Sequence, residues 1–185
     1  MNKKILMILL VFLVISCTKD RNLFPKPDNG NPDIQYRIMR VNEVVSRGSL
    51  NTNEYGTFSD WFEIFNRSSK NILMEQGKWY VSDNPSSPLK YELPEITINS
   101  MGYLVIWCDG MNIVGKQIHT NFGLSSTGET IGVYYRNSPT EAPVIIDTLT
   151  YPADIPKGMS YGMLPDGSDN WYYLPVPTPG YPNHN

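Results

Sequence analysis

Beyond Ile34 no stretch of the chain repeats apolar residues at the 3.6-residue spacing of a helix face, and most of the 15 prolines and 14 glycines of the full sequence fall there and cut it into short runs. The runs between these breaks are rich in β-branched and aromatic residues, which suit a pleated, half-buried surface. The pattern predicts an all-β chain with turns every ten residues or so. Strands are expected over residues 37–46, 60–66, 79–83, 90–93, 96–99, 103–108, 130–135, 144–150 and 171–174. In the first, Ile38, Val41, Val44 and Val45 alternate imperfectly, which predicts a β-bulge. In the second, Phe62 and Ile64 share one face. Residues 103–108 are apolar on both faces, as in a central strand. Strands this short, joined by hairpins and longer crossings, predict a two-sheet β-sandwich. Trp61 and Trp79 are expected in its core. Asp60, Asn66 and Asp83 stand at strand ends, where short polar side chains bond nearby backbone. Pro165-Asp166-Gly167 is a turn signal, and Thr178-Pro179-Gly180 ends the last strand because proline cannot donate to a ladder.

The N-terminus has a different character. Lys3 and Lys4 precede an unbroken apolar run from Ile5 to Ile15. As a helix that run would span about 16 Å, against about 30 Å for a bilayer core, so it fits a signal-peptide core and not a membrane span. Val14-Ile15-Ser16-Cys17 resembles the lipobox of bacterial lipoproteins. The resemblance implies cleavage after Ser16 and diacylglyceryl (palmitate-type) modification of the Cys17 thiol. A further chain on the freed amine would make the anchor stable. The expected organisation is a signal peptide over residues 1–16, a lipidated cysteine and proline- and asparagine-rich tether over 17–35, and one domain over 36–185. Cys17-Thr18-Lys19-Asp20 resembles the charged export signals of some Bacteroidetes surface lipoproteins, which leans the expectation toward the outer membrane and the cell surface, with the periplasmic face as the alternative. With Cys17 lipidated, Cys108 has no disulfide partner and is expected to be a small buried hydrophobe.

The order of motifs in residues 36–183 resembles the lamin tail domain. Val41-Asn42-Glu43-Val44 is similar to that family's first strand, and Asp60-Trp61-Phe62-Glu63-Ile64-Phe65-Asn66 to its second. Leu73 through Asp83 with Trp79, then Gly102-Tyr103-Leu104-Val105-Ile106, continue the series. His119-Thr120-Asn121-Phe122-Gly123-Leu124-Ser125 with Gly128-Glu129, Asp147 through Tyr151, Pro165-Asp166-Gly167 and Thr178-Pro179-Gly180 with Asn183 complete it. Lys78 interrupts the family's usual Gly-Trp pair, and Met163 stands where arginine is common. The resemblance implies an immunoglobulin-like sandwich. Bacterial relatives often sit beside nuclease or other hydrolase domains, which keeps open an alternative role as an accessory of a hydrolase or nuclease system, or as a weak hydrolase.

The residues themselves favour contact over bond-breaking. His119 could serve a serine triad, but no nucleophile elbow accompanies it, and a loop-capping histidine is the expected reading. Asp166-Gly167-Ser168-Asp169-Asn170 is oxygen-rich yet lacks the spacing and terminal glutamate of an EF-hand, so a solvated hairpin turn is expected. Glu43 and Glu63 lie on separate strands, with nothing in the sequence to bring them together. No phosphate-binding glycine loop is present. No catalytic residue, metal ligand or cofactor is expected. Removing Lys3 and Lys4 with the leader leaves 13 basic residues against 18 acidic ones, a net charge of about −5, which disfavours nucleic-acid partners. Trp171, Tyr172, Tyr173 and Tyr181, interleaved with prolines, are the candidate binding residues for a protein or glycan partner. The membrane is the other expected partner, through the lipid on Cys17.

Overall fold

Alternation of side chains along the strands divides the structure into an inward and an outward set. The computed structural model describes residues 38–48 and 50–185, which contain thirteen strands and no helix. The signal peptide, Cys17 and the tether expected over residues 1–35 lie outside the described residues.

The larger sheet is built around β1 (Met39–Val45), β2 (Asp60–Asn66) and β7 (Tyr103–Cys108), paired antiparallel. Beyond β1 stand β12 (Ser160–Met163) and the edge strand β13 (Trp171–Leu174). Beyond β7 stand β9 (Ile118–His119), paired parallel, and β8 (Ile113–Val114). The smaller sheet runs β11 (Val144–Tyr151), β10 (Glu129–Tyr135), β4 (Trp79–Ser82), β5 (Tyr91–Glu92). A separate ribbon pairs β3 (Ile72–Met74) with β6 (Ile96–Ile98). One apolar core draws on both sheets, including Val41, Phe62, Ile64 and Ile106 from the larger and Trp79, Val81, Ile131 and Val133 from the smaller. Two sheets packed over one such core make a β-sandwich.

The expected bulge sits in β1, where the register against β2 shifts between Val41 and Glu43. Asn42 is the extra residue. It lets Val41 and Val44 both enter the core while Glu43 and Val45 turn to the outer face. On that outer face Val45, Trp61 and Trp107 form a second apolar cluster, with the two indoles 6.4 Å apart. Trp61 is fully buried, as the sequence suggested, and its place is in this outer cluster. The strand over residues 103–108 is covered on both faces, because Leu104, Ile106 and Cys108 point inward and Val105 and Trp107 join the outer cluster.

A second bulge, in β11 near Val133, leaves Ile146 in the core and carries Asp147 toward the larger sheet. Asp147 Oδ2 accepts the Val41 N–H at 2.9 Å and the Arg40 Nε–H at 3.0 Å. One carboxylate thus ties the two sheets and satisfies a backbone donor that β12, paired only at Glu43 and Val44, does not reach. Asn66 acts similarly at the end of β2. Its Nδ2 donates to the carbonyls of Lys70, Ile98 and Asn99, and its Oδ1 accepts from Ser68. Asp83 differs from expectation, pairing with the Lys90 ammonium at 2.6 Å.

Trp79 is buried and meets Tyr135 edge-on at 5.3 Å. Trp79→Ala is expected to cost about 3–5 kcal/mol in denaturant unfolding, whereas Tyr172→Ala, at an exposed edge position, should stay within about 0.5 kcal/mol.

Candidate functional site

Glu43 and Glu63 stand directly opposite each other across the β1–β2 ladder, on the outer face, and both are fully buried. The sequence left these two acids apart; the bulge at Asn42 brings them side by side. Residues beyond β13 cross above them and supply donors. Thr178 N–H lies 3.1 Å and 3.2 Å from the two Glu43 oxygens, and Thr178 Oγ1 donates to Oε2 at 3.1 Å. Ser160 Oγ also donates to Glu43. Gly180 N–H donates to Glu63 Oε2 at 2.6 Å, and Asn42 Nδ2 donates to Glu63 Oε1 at 3.2 Å.

The network extends through Asp166 and Asn183. Asp166 Oδ1 accepts from Asn42 Nδ2 at 2.9 Å and from the Asn183 N–H, and Asp166 Oδ2 accepts from Tyr103 Oη at 2.8 Å. Asn183 Nδ2 donates to the carbonyls of Asn42 and Met163, and its Oδ1 lies 2.8 Å from Thr178 Oγ1, whose single proton is shared between Asn183 and Glu43. Asp166 is therefore held in a half-buried network at the start of the expected hairpin turn, whose Asp169 and Asn170 are exposed to solvent. Gly162 lies beneath this network, where a Cβ would come within 2.8 Å of Asn183 Nδ2 and of Leu174. Among the described residues no cluster of three or more His, Cys, Asp or Glu side chains is placed to hold a metal ion.

Burial pushes the Glu63 carboxyl well above the usual glutamate range, opposed by the Gly180 N–H; burial raises Glu43 too, against the Ser160 and Thr178 bonds. The neighbouring Glu43 charge also raises Glu63, and Asp166 raises Glu43, as like charges do. The chemistry fits a fastener for the C-terminal segment.

His119 is fully buried on β9 and is not the loop cap expected from sequence. Its Nδ1 lies 2.7 Å from Asp109 Oδ2, and its ring packs 5.3 Å from Tyr55. Its Nε2 makes no hydrogen bond and stands 3.6 Å from Glu54 Oε1. An imidazole oriented by an acid is present, but among the described residues no hydroxyl or thiol is hydrogen-bonded to it as a nucleophile would be. Glu54 in turn accepts the Lys116 and Gln117 N–H groups, fixing the 50s loop against the β8–β9 hairpin. Cys108 is a buried free thiol whose pKa burial drives upward, which keeps it protonated and inert.

The candidate aromatics are spread over two faces of the sandwich edge. Trp171 stacks on Tyr161 at 5.2 Å, and Tyr173 meets the same ring at 5.3 Å, so Tyr161 completes a row of three. Sequence reasoning missed Tyr161; the β12–β13 hairpin, centred on Pro165-Asp166-Gly167, pairs it with Tyr173. Tyr172 points to the opposite face, and Tyr181 belongs to the crossing segment. Tyr172 and Tyr173 are about half exposed and Tyr181 is 71% exposed. Compared with known proteins, the chain matches no family model and no curated relative.

Two outcomes follow from the fastener. Thr178→Val keeps the backbone donor but deletes the hydroxyl shared by Glu43 and Asn183, and should cost about 1–3 kcal/mol in equilibrium unfolding. The raised acids bind a proton more tightly in the folded than in the unfolded chain. Their contribution is complete below the ordinary glutamate range and is lost as pH rises through the raised folded values. Glu63→Gln cannot ionise and lacks the Glu63 share of that loss. The stability of the native protein relative to Glu63→Gln should therefore fall as pH rises from the ordinary glutamate range through the raised folded value; a difference independent of pH would contradict the assignment.

Proposed function

We propose that the chain is a lipid-anchored, non-catalytic binding module whose domain is of the immunoglobulin-like, lamin-tail type. Cys17 carries the anchor, the tether spaces the domain from the outer membrane, and the sandwich works by contact at the cell surface. The lipobox-like Val14-Ile15-Ser16-Cys17 supports the anchor, and the segments that resemble lamin tail motifs support the family reading.

The observation that carries the binding role is the row of partly exposed rings on the free edge of the larger sheet. Trp171, Tyr161 and Tyr173 line one side of β12–β13, and among the described residues β13 is the edge strand of the sheet. Rigid, partly exposed aromatics bring large contact area at small entropic cost, as anchors for protein or glycan partners do. His119 lies buried without a nucleophile hydrogen-bonded to it, which weighs against the hydrolase alternative.

Metabolic labelling with an alkyne fatty acid is expected to tag the protein, and Cys17→Ser should abolish the tag and release the protein from the membrane fraction. Mass spectrometry that finds Cys17 unacylated and the leader retained overturns the anchor. In pull-downs and glycan arrays, Trp171→Ala with Tyr173→Ala should weaken binding at least about tenfold without loss of fold; unchanged binding removes the aromatic edge from the reading.

A further inference from the structure

A strand at the edge of a sheet presents a row of backbone groups to any chain that can pair with it, and proteins commonly blunt such edges. Here β5 and β8 have two residues each, and β5 ends in Glu92. The edge strand β11 is tied to β1 through Asp147, which accepts the Val41 N–H. β13 is different. Trp171-Tyr172-Tyr173-Leu174 carries no charge and forms an edge of the seven-stranded sheet.

Hydrogen-bond phase fixes which of its groups face out. At the turn end of the β12–β13 hairpin, the Leu164 N–H donates to the Asn170 carbonyl at 3.0 Å. Opposed residues of an antiparallel pair alternate between exchanging such bonds and turning away from them. Counting on from that bond, Tyr172 and Leu174 turn their backbone groups toward Gly162 and Ser160, and Trp171 and Tyr173 turn theirs to the free edge. Among the described residues no hydrogen bond reaches the N–H or C=O of Trp171 or Tyr173.

This edge is complementary to itself. A two-fold axis at Tyr172 sets Trp171 of each copy opposite Tyr173 of the other, so both outward-facing residues gain a mate. Moving the axis by one residue spoils the match. It sets Trp171 opposite Pro175, which has no N–H, or Tyr173 opposite Asp169 in the turn. With the axis at Tyr172, Asp169 falls opposite Pro175, and no like charges face each other. The side chains agree with the backbone. Tyr161, Trp171 and Tyr173 form a row on one face, and placing Trp171 beside the other copy's Tyr173 continues that row across the axis. On the opposite face the two Tyr172 rings, each 47% exposed in the single copy, come side by side.

We propose that the chain pairs with a second copy of itself, β13 against β13 antiparallel about a two-fold axis at Tyr172, so that two seven-stranded sheets become one. The proposal names an occupant for the aromatic edge and rests on the proposed function only in taking that edge as a contact surface. The pairing is closed, because it uses the same edge of both copies and leaves none for a third. About four main-chain bonds and a few rings make a small interface, so association is weak in dilute solution.

The test uses the full chain purified in a mild detergent, at up to about 100 μM because small interfaces are weak. Sedimentation should show a monomer–dimer equilibrium in the native chain. Tyr172→Lys and Tyr172→Glu each set like charges opposite one another across the axis and should weaken association at least about tenfold; an equal mixture of the two should recover it. In Tyr172→Cys, mild oxidation should join two copies, since opposed residues at such a position stand about 4.5 Å apart, within reach of a disulfide. Tyr181→Cys, at an exposed position off the edge, should join at least about tenfold more slowly. Cys108 is buried, and the native chain treated alike sets the background. A native chain that stays monomeric, charge variants that associate as the native chain does, a mixture that fails to recover, or Tyr172→Cys that joins no faster than Tyr181→Cys each overturn the proposal. Capture of a protein or glycan is read separately, in the pull-downs and arrays. Capture that stands while pairing fails sinks the dimer and spares the binding role; pairing that stands while nothing is captured does the reverse.

Discussion

Two glutamates facing each other across adjacent strands, out of contact with water, dictate much of the rest of this structure. Burying one carboxyl is costly and burying two side by side more so, unless donors meet them or protons neutralise them. Here both remedies operate. Thr178, Gly180, Ser160 and Asn42 supply the donors, and burial raises both acids toward their neutral forms. The segment over residues 178–183 has no strand to hold it. The carboxyls give it a fixed path over the outer face, with Asn183 binding back to the carbonyls of Asn42 and Met163.

Fixing that segment shapes the surface around it. Tyr181 is carried out into solvent by the turn that bonds its N–H to the Thr178 carbonyl. Tyr103, bound to Asp166, stacks its ring on Phe65 at 4.9 Å and closes the outer face on the other side of the network. Buried polar networks of this kind are costly when incomplete and rigidifying when every member is met. Rigidity matters for a module that binds by contact, because an ordered surface loses less entropy on meeting its partner.

The tie between sheets follows the same logic on a smaller scale. A strand that bulges frees backbone groups, and each freed group needs a partner. The Val41 N–H finds Asp147, and Asp147 also holds Arg40, which reaches on to Asp169 in the β12–β13 turn. Acidic side chains thus appear at three junctions: β1 with β2, β1 with β11, and the hairpin turn with the C-terminal segment.

Much of this was legible before any coordinates. Alternation in Thr130–Tyr135, the doubly apolar stretch around Val105, and the imperfect alternation of Val41, Val44 and Val45 specified strands, a central position and a bulge, because period-two patterning records which side of a strand meets the core. The short pairings β3, β8, β9 and β12 escaped, since two to four residues carry too little pattern and form only because neighbouring strands offer them an edge. The exposed rings were readable as residue types, but their division between two faces, and the place of Tyr161 among them, depended on hairpin register. Sequence alone determined the all-β class and the turns, since local chemistry suffices for those. Only the tertiary structure decided that Glu43 meets Glu63 and that Thr178 and Gly180 cap them. Those contacts join residues 20 to more than 100 positions apart, and hydrogen-bond geometry across such distances leaves no periodic trace in the chain.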